Sequence, residues 1–353
     1  MRRFGSKATV LAAVAFTAAL AGCGGSSGAS ASPAAASATP AAAAASASPA
    51  AAASASPAPA SAPVIGISVK TITNDPFQTA WVNAATSKIE ALGGKVRLLV
   101  AGGETAVATQ ASQLNDLIAQ QVNGMIVNPI DGAAVVPVLQ KAKDAKIPVV
   151  TVDSPVAPGN DGLFETFIAT DNVKAGSDLA TYLVTNIGKP NPNVAIIEGA
   201  PGSLAGDDRK KGFLAGLATK NVTPVASASG EWQNAKALTA MENILTAHPD
   251  LDAVLSASDV MVDGILQALA GASKTNVKVL AIDGSKVGIQ GVIDGKLLAD
   301  NTQDPAQMGT LAAQDIFGLA NGTIARGSLP KYIDSGTQTV TKENAQQALA
   351  KAF

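Results

Sequence analysis

The residues in this chain best suited to chemistry sit just past short apolar runs. Asn74, Asp75 and Phe77 follow the first run, Asn128 and Asp131 a later one, and Asp153 and Ser154 the next. Further along, Arg209, Trp232, Ser258, Asp259 and Asp283 hold comparable places, and Gln303 lies at a late run. Carboxylates accept hydrogen bonds in pairs, and a guanidinium donates them as a fork. Flat rings stack on the C–H faces of a sugar. Aromatics are scarce here, with 2 Trp, 2 Tyr and 8 Phe, yet Phe77 and Trp232 both fall in loops. An exposed loop is a costly place for a large ring unless something covers it. A few fixed polar groups among apolar walls describe a small-molecule pocket.

Each of these residues also has a structural reading. Asp153, Asp259 and Asp283 could cap the helices that follow them. Arg209 lies in Asp207-Asp208-Arg209-Lys210-Lys211, which on sequence alone reads as a solvated helix face. Trp232 could cover the core, and His248 ends a helix. Catalysis finds little material. There is one His and one Cys, so a Ser-His-Asp or Cys-His site is hard to build, and no H-E-x-x-H appears. Gly24-Gly25-Ser26-Ser27-Gly28 fits G-x-S-x-G, but no strand leads into it and no helix follows. Glycosidase chemistry needs only two carboxylates. Asp153 and Asp283, however, come from separate halves of the chain beside stacking rings, an arrangement for binding. No catalytic residue, cofactor or metal is expected.

The elements that must position these residues alternate. Val64 to Val69 reads as a buried strand, and Asp75-Pro76 as a helix start with its cap and preset φ. Strands are expected at 96–100, 125–127, 148–152 and 167–169, with helices at 106–121 and 133–146 between them. The pattern restarts with a helix at 174–187. Strands follow at 193–198, 222–228, 253–257, 277–282 and 297–301. Helices are expected at 204–220, 234–247, 260–270, 285–294 and 305–320. A strand-like piece and a short helix close the chain. Such βαβα order implies an α/β fold with parallel sheets covered on both faces, and about 290 residues make two similar lobes. Ligands of such sheets bind beyond the carboxyl ends of the strands, where the singled-out residues lie.

The first 63 residues are different in kind. Arg2, Arg3 and Lys7 precede an apolar run from Ala8 to Ala21, the pattern of a signal peptide over residues 1–22; the run is short for a membrane span. The twin Arg is a weak hint of twin-arginine export. Leu20-Ala21-Gly22-Cys23 resembles a bacterial lipobox, which implies cleavage before Cys23 and its lipidation. Residues 24–63 contain only Gly, Ser, Ala, Pro and Thr. Such a tract cannot bury a core and reads as a disordered tether, on the order of 35 Å as a coil and 120 Å fully extended. Setting aside the three positive charges before residue 64, the formal net charge of −2 becomes −5 for the body, a poor balance for nucleic acid. The single Cys rules out an internal disulfide.

The body resembles the sugar-binding proteins of ABC importers, in the ribose-binding (type I periplasmic binding protein) family. The resemblance runs from about Val64 to Ile333. It is carried by Asn74-Asp75-Pro76-Phe77, Gly124-Met125-Ile126-Val127-Asn128-Pro129 and Ile147-Pro148-Val149-Val150-Thr151-Val152-Asp153. Ala169-Thr170-Asp171-Asn172, Arg209-Lys210-Lys211-Gly212-Phe213, Leu245 to Asp250, Ile282-Asp283-Gly284 and Gln303 continue it in order. It implies two Rossmann-like lobes joined by a three-strand hinge, 64–170 plus 304–333 and 171–303 plus 334–353, closing on one sugar. It also implies roles. Asn74 and Phe77 line the first lobe's side, Asp153 and Asp283 accept from hydroxyls, and Arg209 donates a bidentate pair. Trp232 is a wall, and Gln303 reaches in from the hinge. Three positions depart from the family. Gln78 stands for a second ring, Ser154 for an Arg, and Ser258 for an Asn, which leaves room for a different or larger polyol or a modified sugar. The implied partners are an ABC permease and ATPase, with the protein a lipid-anchored monomer on the extracytoplasmic face. A sensor lipoprotein presenting an autoinducer-type furanose to a membrane receptor is the alternative. A repressor of this fold would need a basic helix-turn-helix where this chain has its signal-like segment.

Overall fold

The computed structural model describes residues 62–353. The signal-peptide reading, Cys23 and all but the end of the tether lie outside the described residues. None of the described helices is long and apolar enough to cross a membrane.

The first sheet contains β1 (Val64–Val69), β2 (Lys95–Val100), β3 (Gly124–Val127), β4 (Val149–Val152), β5 (Thr166–Ala169) and the late β11 (Tyr332–Asp334). Its order is β11-β5-β4-β3-β1-β2, with every pairing parallel. β1, β3 and β4 run through the middle and are apolar almost throughout, as strands covered on both faces must be. β2 is the edge and carries Lys95 and Arg97, charges that keep an open edge from pairing with another chain. The helices α1 (Pro76–Ala91), α2 (Val107–Ala119) and α3 (Val136–Asp144) connect these strands.

The second sheet, β12-β10-β9-β8-β6-β7, is built from β6 (Val194–Glu198), β7 (Ala226–Ser229), β8 (Ala253–Ser256), β9 (Lys278–Asp283), β10 (Ala299–Gln303) and β12 (Thr337–Val340). Only β12 is antiparallel, to β10. Its helices are α4 (Asn172–Asn186), α5 (Leu204–Ala218), α6 (Asn234–Ala247), α7 (Val262–Gly271), α8 (Lys286–Ile293) and the short α10 (Ala345–Leu349). α9 (Pro305–Asn321) returns to the first lobe, where Met308, Ala312 and Ile316 pack with Trp81 and Ile89 of α1. The chain therefore passes between the sheets three times: after β5, after β10 and after β11. The passages after β5 and after β11 are tied to one another. The Ser335 N–H donates to the Ala169 carbonyl at 2.9 Å, the Asp171 N–H to Asp334 Oδ1 at 3.2 Å, and the Tyr332 hydroxyl to Ala169 at 3.1 Å.

Several element ends differ from the sequence expectation. α3 starts at Val136 rather than residue 133, because Asp131 Oδ1 takes the amides of Ala133 and Ala134 into a turn. β7 starts at Ala226 rather than 222, and β10 covers 299–303 rather than 297–301. The apolar residues Val222 and Leu297 that suggested earlier starts are buried under helix ends instead. The tail holds two strands, one for each sheet.

One close helix pair carries Arg209, an expected site residue. α5 packs on α4 through Gly212 and Gly176. A Cβ on Gly212 would lie 2.2 Å from the Val173 carbonyl, and one on Gly176 would lie 2.3 Å from the Arg209 carbonyl. No rotamer change relieves a clash with backbone, so the helices must separate. Gly212→Ala should destabilise the body by about 1–3 kcal/mol in urea unfolding. It should also weaken ligand binding more than an equally destabilising change in α2, because it displaces the turn that holds Arg209.

Candidate functional site

Asp283 ends β9 and is the centre of the second lobe's side. It is 8% exposed and accepts four hydrogen bonds. Arg209 Nη1 at 3.0 Å and Gln303 Nε2 at 2.7 Å reach Oδ1; the Asp259 amide at 3.0 Å and the Ser258 hydroxyl reach Oδ2. These fill the acceptor sites of a carboxylate. A ligand hydroxyl would therefore have to replace one of these donors or bind beside them, whereas the resemblance implied an open acceptor. Arg209 is 5% exposed, against the solvated helix face that its charged neighbours suggest. Its Nε donates to Asn172 Oδ1 at 2.8 Å and its Nη1 to the Ala257 carbonyl at 2.6 Å. Among the described residues its two Nη2 hydrogens have no partner, so one edge of the fork is left for a ligand. Trp232 lies over this guanidinium with its ring centre 5.7 Å from Arg209 Cζ, a cation–π contact. Its φ of 57° is left-handed. The indole fits because Gly199 and Gly206 face it; a Cβ on Gly199 would lie 2.1 Å from the ring.

Asp153 is the first lobe's counterpart. It follows β4 with φ at 62°, and the strained turn aims its carboxylate back over the sheet. Gln78 Nε2 donates to Oδ2 at 3.0 Å and Asn128 Nδ2 at 2.9 Å, with Lys70 Nζ at 3.8 Å. Gln78, the departure from a ring, is buried and also accepts from Trp81 Nε1 at 2.6 Å. Only Oδ2 of Asp153 takes these bonds, so Oδ1 remains for a ligand. Phe77 stands half-buried in the first turn of α1, behind the Asp75 cap that accepts the Gln78 amide at 2.9 Å. Asn74 is exposed with φ at 55°. Ser154 is half-buried and makes no side-chain hydrogen bond among the described residues.

The two sides face one gap. A cavity of about 220 Å³ beside the lobe passages is lined by Asp153, Pro155 and Phe167 of the first lobe and by Asn172, Ala205 and Asp208 of the second; of the expected site residues only Asp153 lines it. Asp75 registers the same convergence. Burial pushes its carboxyl up to about 6, and the charges of Asp153 and, across the gap, Asp283 add to the rise.

The chain matches the family described as "Periplasmic binding protein domain" over residues 65–324. The chain belongs to the periplasmic binding protein family. It is 33% identical to the ribose import binding protein of Bacillus subtilis over 274 residues, 78% of this chain and 87% of that one. A Mycobacterium smegmatis ABC transporter solute-binding protein with bound glycerol superposes at TM-score 0.73 and 33% identity, covering 81% of this chain and 96% of that one. An Actinobacillus succinogenes ABC transporter periplasmic solute-binding protein with bound D-allose does so at TM-score 0.75 and 28% identity, covering 81% and 99%. This periplasmic binding protein is of the ribose-binding-like type I, with two α/β lobes of mostly parallel strands.

Sequence reasoning missed the supports of this periplasmic binding protein's carboxylates. Asn172 was legible only as part of a motif, and Asn128 as a strand-end polar group. Nothing in the sequence pointed to Asp300. It is fully buried in β10, behind the site, and its Oδ2 and that of Asp259 converge on Gly288, where a Cβ would lie 2.2 Å from each. Asp259 Oδ2 accepts the Ser285 amide at 2.9 Å and hydroxyl at 2.7 Å; neither oxygen of Asp300 has a donor in hydrogen-bond geometry. Two buried carboxyls this close must share a proton. Burial first, then the charge of Asp283, pushes Asp259 up to about 7, and burial and Asp259 drive Asp300 well above the usual range.

The unfolded chain ionises both groups near 3.8, while the folded protein keeps the proton. Stability from this pair is therefore complete below about pH 4; the share of Asp259 is lost as pH rises through about 7, and that of Asp300 further up. Melting temperature should fall between pH 4 and 7, and Asp300→Asn should flatten that slope and raise the melting temperature at pH 8. An unchanged slope in Asp300→Asn would show that the pair carries no shared proton.

Proposed function

We propose that this protein is an extracytoplasmic solute-binding lipoprotein. It captures a monosaccharide or related polyol by closure of its lobes and delivers it to the permease of an ABC importer. The observation that carries the reading is the pairing of one pinned carboxylate per lobe, Asp153 and Asp283, across a single gap, each with a ring near it. The relatives named as ribose-, allose- and galactofuranose-binding proteins support a sugar or polyol as the ligand class. So do the solved structures holding glycerol and D-allose. The lipobox-like Leu20-Ala21-Gly22-Cys23 supports anchoring through Cys23.

The mechanism follows from the geometry. Phe77, Asn74, Asp153 and Ser154 offer the first lobe's face; Arg209, Trp232, Ser258, Asp283 and Gln303 offer the second. A sugar touches both faces only when the lobes are closed, so it shifts the population by its differential affinity. Arg209 Nη2 donates a fork to adjacent hydroxyl oxygens, and Asp153 Oδ1 accepts from a hydroxyl. The rings cover the C–H faces. The proposed chemistry is capture and release.

Thermal shift of the purified protein against D-ribose, D-allose, L-arabinose and myo-inositol tests the ligand class. At least one should raise the melting temperature, with small-angle scattering showing a smaller radius on saturation. Arg209→Lys keeps the charge but loses the planar fork. It should weaken the best ligand about 10- to 100-fold, the scale of one or two charge-assisted hydrogen bonds. A panel with no shift, or an unchanged radius on saturation, would remove the proposal.

A further inference from the structure

Phe353, the last residue of the sequence, lies between the two lobes. The segment leading to it belongs to the second lobe: Ala345 is buried in that lobe's core, and Ala348, Leu349 and Ala352 pack on it. The Phe353 carbonyl accepts the Lys286 N–H at 3.0 Å. Lys286 is the first residue of α8, whose amide has no partner within its own helix, so this bond ties the end of the tail to the helix that follows Asp283. The ring points away from this anchor. It meets the Phe77 ring of the first lobe, with centroids 5.7 Å apart and planes at 76°, an edge-to-face pair. Together with Asn74 and Asp75 it also lines a cavity of about 420 Å³ at the start of α1.

This contact differs from the three chain passages in kind. The passages are covalent and persist however far the lobes part. The ring pair is held by one lobe and seated on the other, so it forms on closing and is lost on opening. Its partner is also the ring assigned to the ligand wall. Gln78 fills the next place with an amide that serves Asp153, so no ring adjoins Phe77 directly in sequence; Trp81, one turn on, is buried in the core. Phe353 supplies a neighbouring ring from the far end of the chain.

We infer that Phe353 is a positioning residue for ligand capture, a latch that fixes the Phe77 ring and favours the closed arrangement. The inference rests on the proposed clamp and on Phe77 as part of its wall. Its effect falls mainly on ligand release, because the contact must break before the lobes can part.

The test is a double-mutant cycle on the purified protein. Dissociation rate is measured for whichever of D-ribose, D-allose, L-arabinose and myo-inositol shifts melting most, and radius of gyration is measured without sugar. Phe353→Ala should speed release about 2- to 10-fold, the range an edge-to-face pair carries, with association little changed. Phe353→Tyr should restore slow release, a result that lost tail packing alone would not give. Phe353→Ala added to Phe77→Ala should cost less than the two changes separately. If Phe77→Ala speeds release and Phe353→Ala does not, the latch falls while the ligand wall stands. Additive effects of the two changes also overturn the latch. If none of the four sugars binds, the proposed function fails, and the sugar-free radius decides the latch by itself: a larger radius for Phe353→Ala supports it, and an unchanged radius overturns it.

Discussion

Everything on the second lobe's side depends on keeping one carboxylate ionised while nearly sealed from water. A buried charge is tolerable only when its acceptor sites are filled and an opposite charge is near. Asp283 meets this condition with four donors from three places. Arg209 comes from α5, Ser258 and the Asp259 amide from the turn after β8, and Gln303 from the end of β10. Each donor fixes the element it stands on. The demand of one side chain thus orients a helix, a turn and the strand that leads into a lobe passage.

The neighbouring acids follow from that choice. With Asp283 charged, Asp259 and Asp300 cannot both be charged behind it, and the pair keeps a proton instead. The first lobe solves the same problem with fewer restraints. Asp153 is held through one oxygen by Gln78 and Asn128, with Lys70 nearby, so it stays more available. The lobes therefore divide the work: one presents a rigid, satisfied cluster with a free guanidinium edge, the other an acceptor with a vacant oxygen. Phe353 adds an apolar contact to this polar arrangement, and it can be broken without uncovering a charge.

Much of the architecture was legible because it is local. β1 showed as an unbroken apolar run, and α1 as Asp75-Pro76 followed by helical spacing; α6 began and ended where its pattern did, at Asn234 and Ala247. The ordered motifs pointed to the family that the comparisons show. Ends were misplaced where a buried apolar residue belonged to a helix terminus rather than a strand, as with Val222 and Leu297. Arg209 was the hardest to read. Its acidic and basic neighbours are those of a solvated face, and only the resemblance argued otherwise.

The sequence by itself determined the alternation of strands and helices, the charge balance of the body and the set of polar residues at strand ends, since each depends on neighbours a few positions away. Tertiary structure alone decided which donors fill Asp283, that Gln78 serves Asp153, that Asp259 meets Asp300, and that Phe353 lies on Phe77. The pairs in that list are separated by 20 to 276 positions in the chain. Hydrogen-bond satisfaction and ring packing act through space, and no periodicity records which distant group will supply the missing partner.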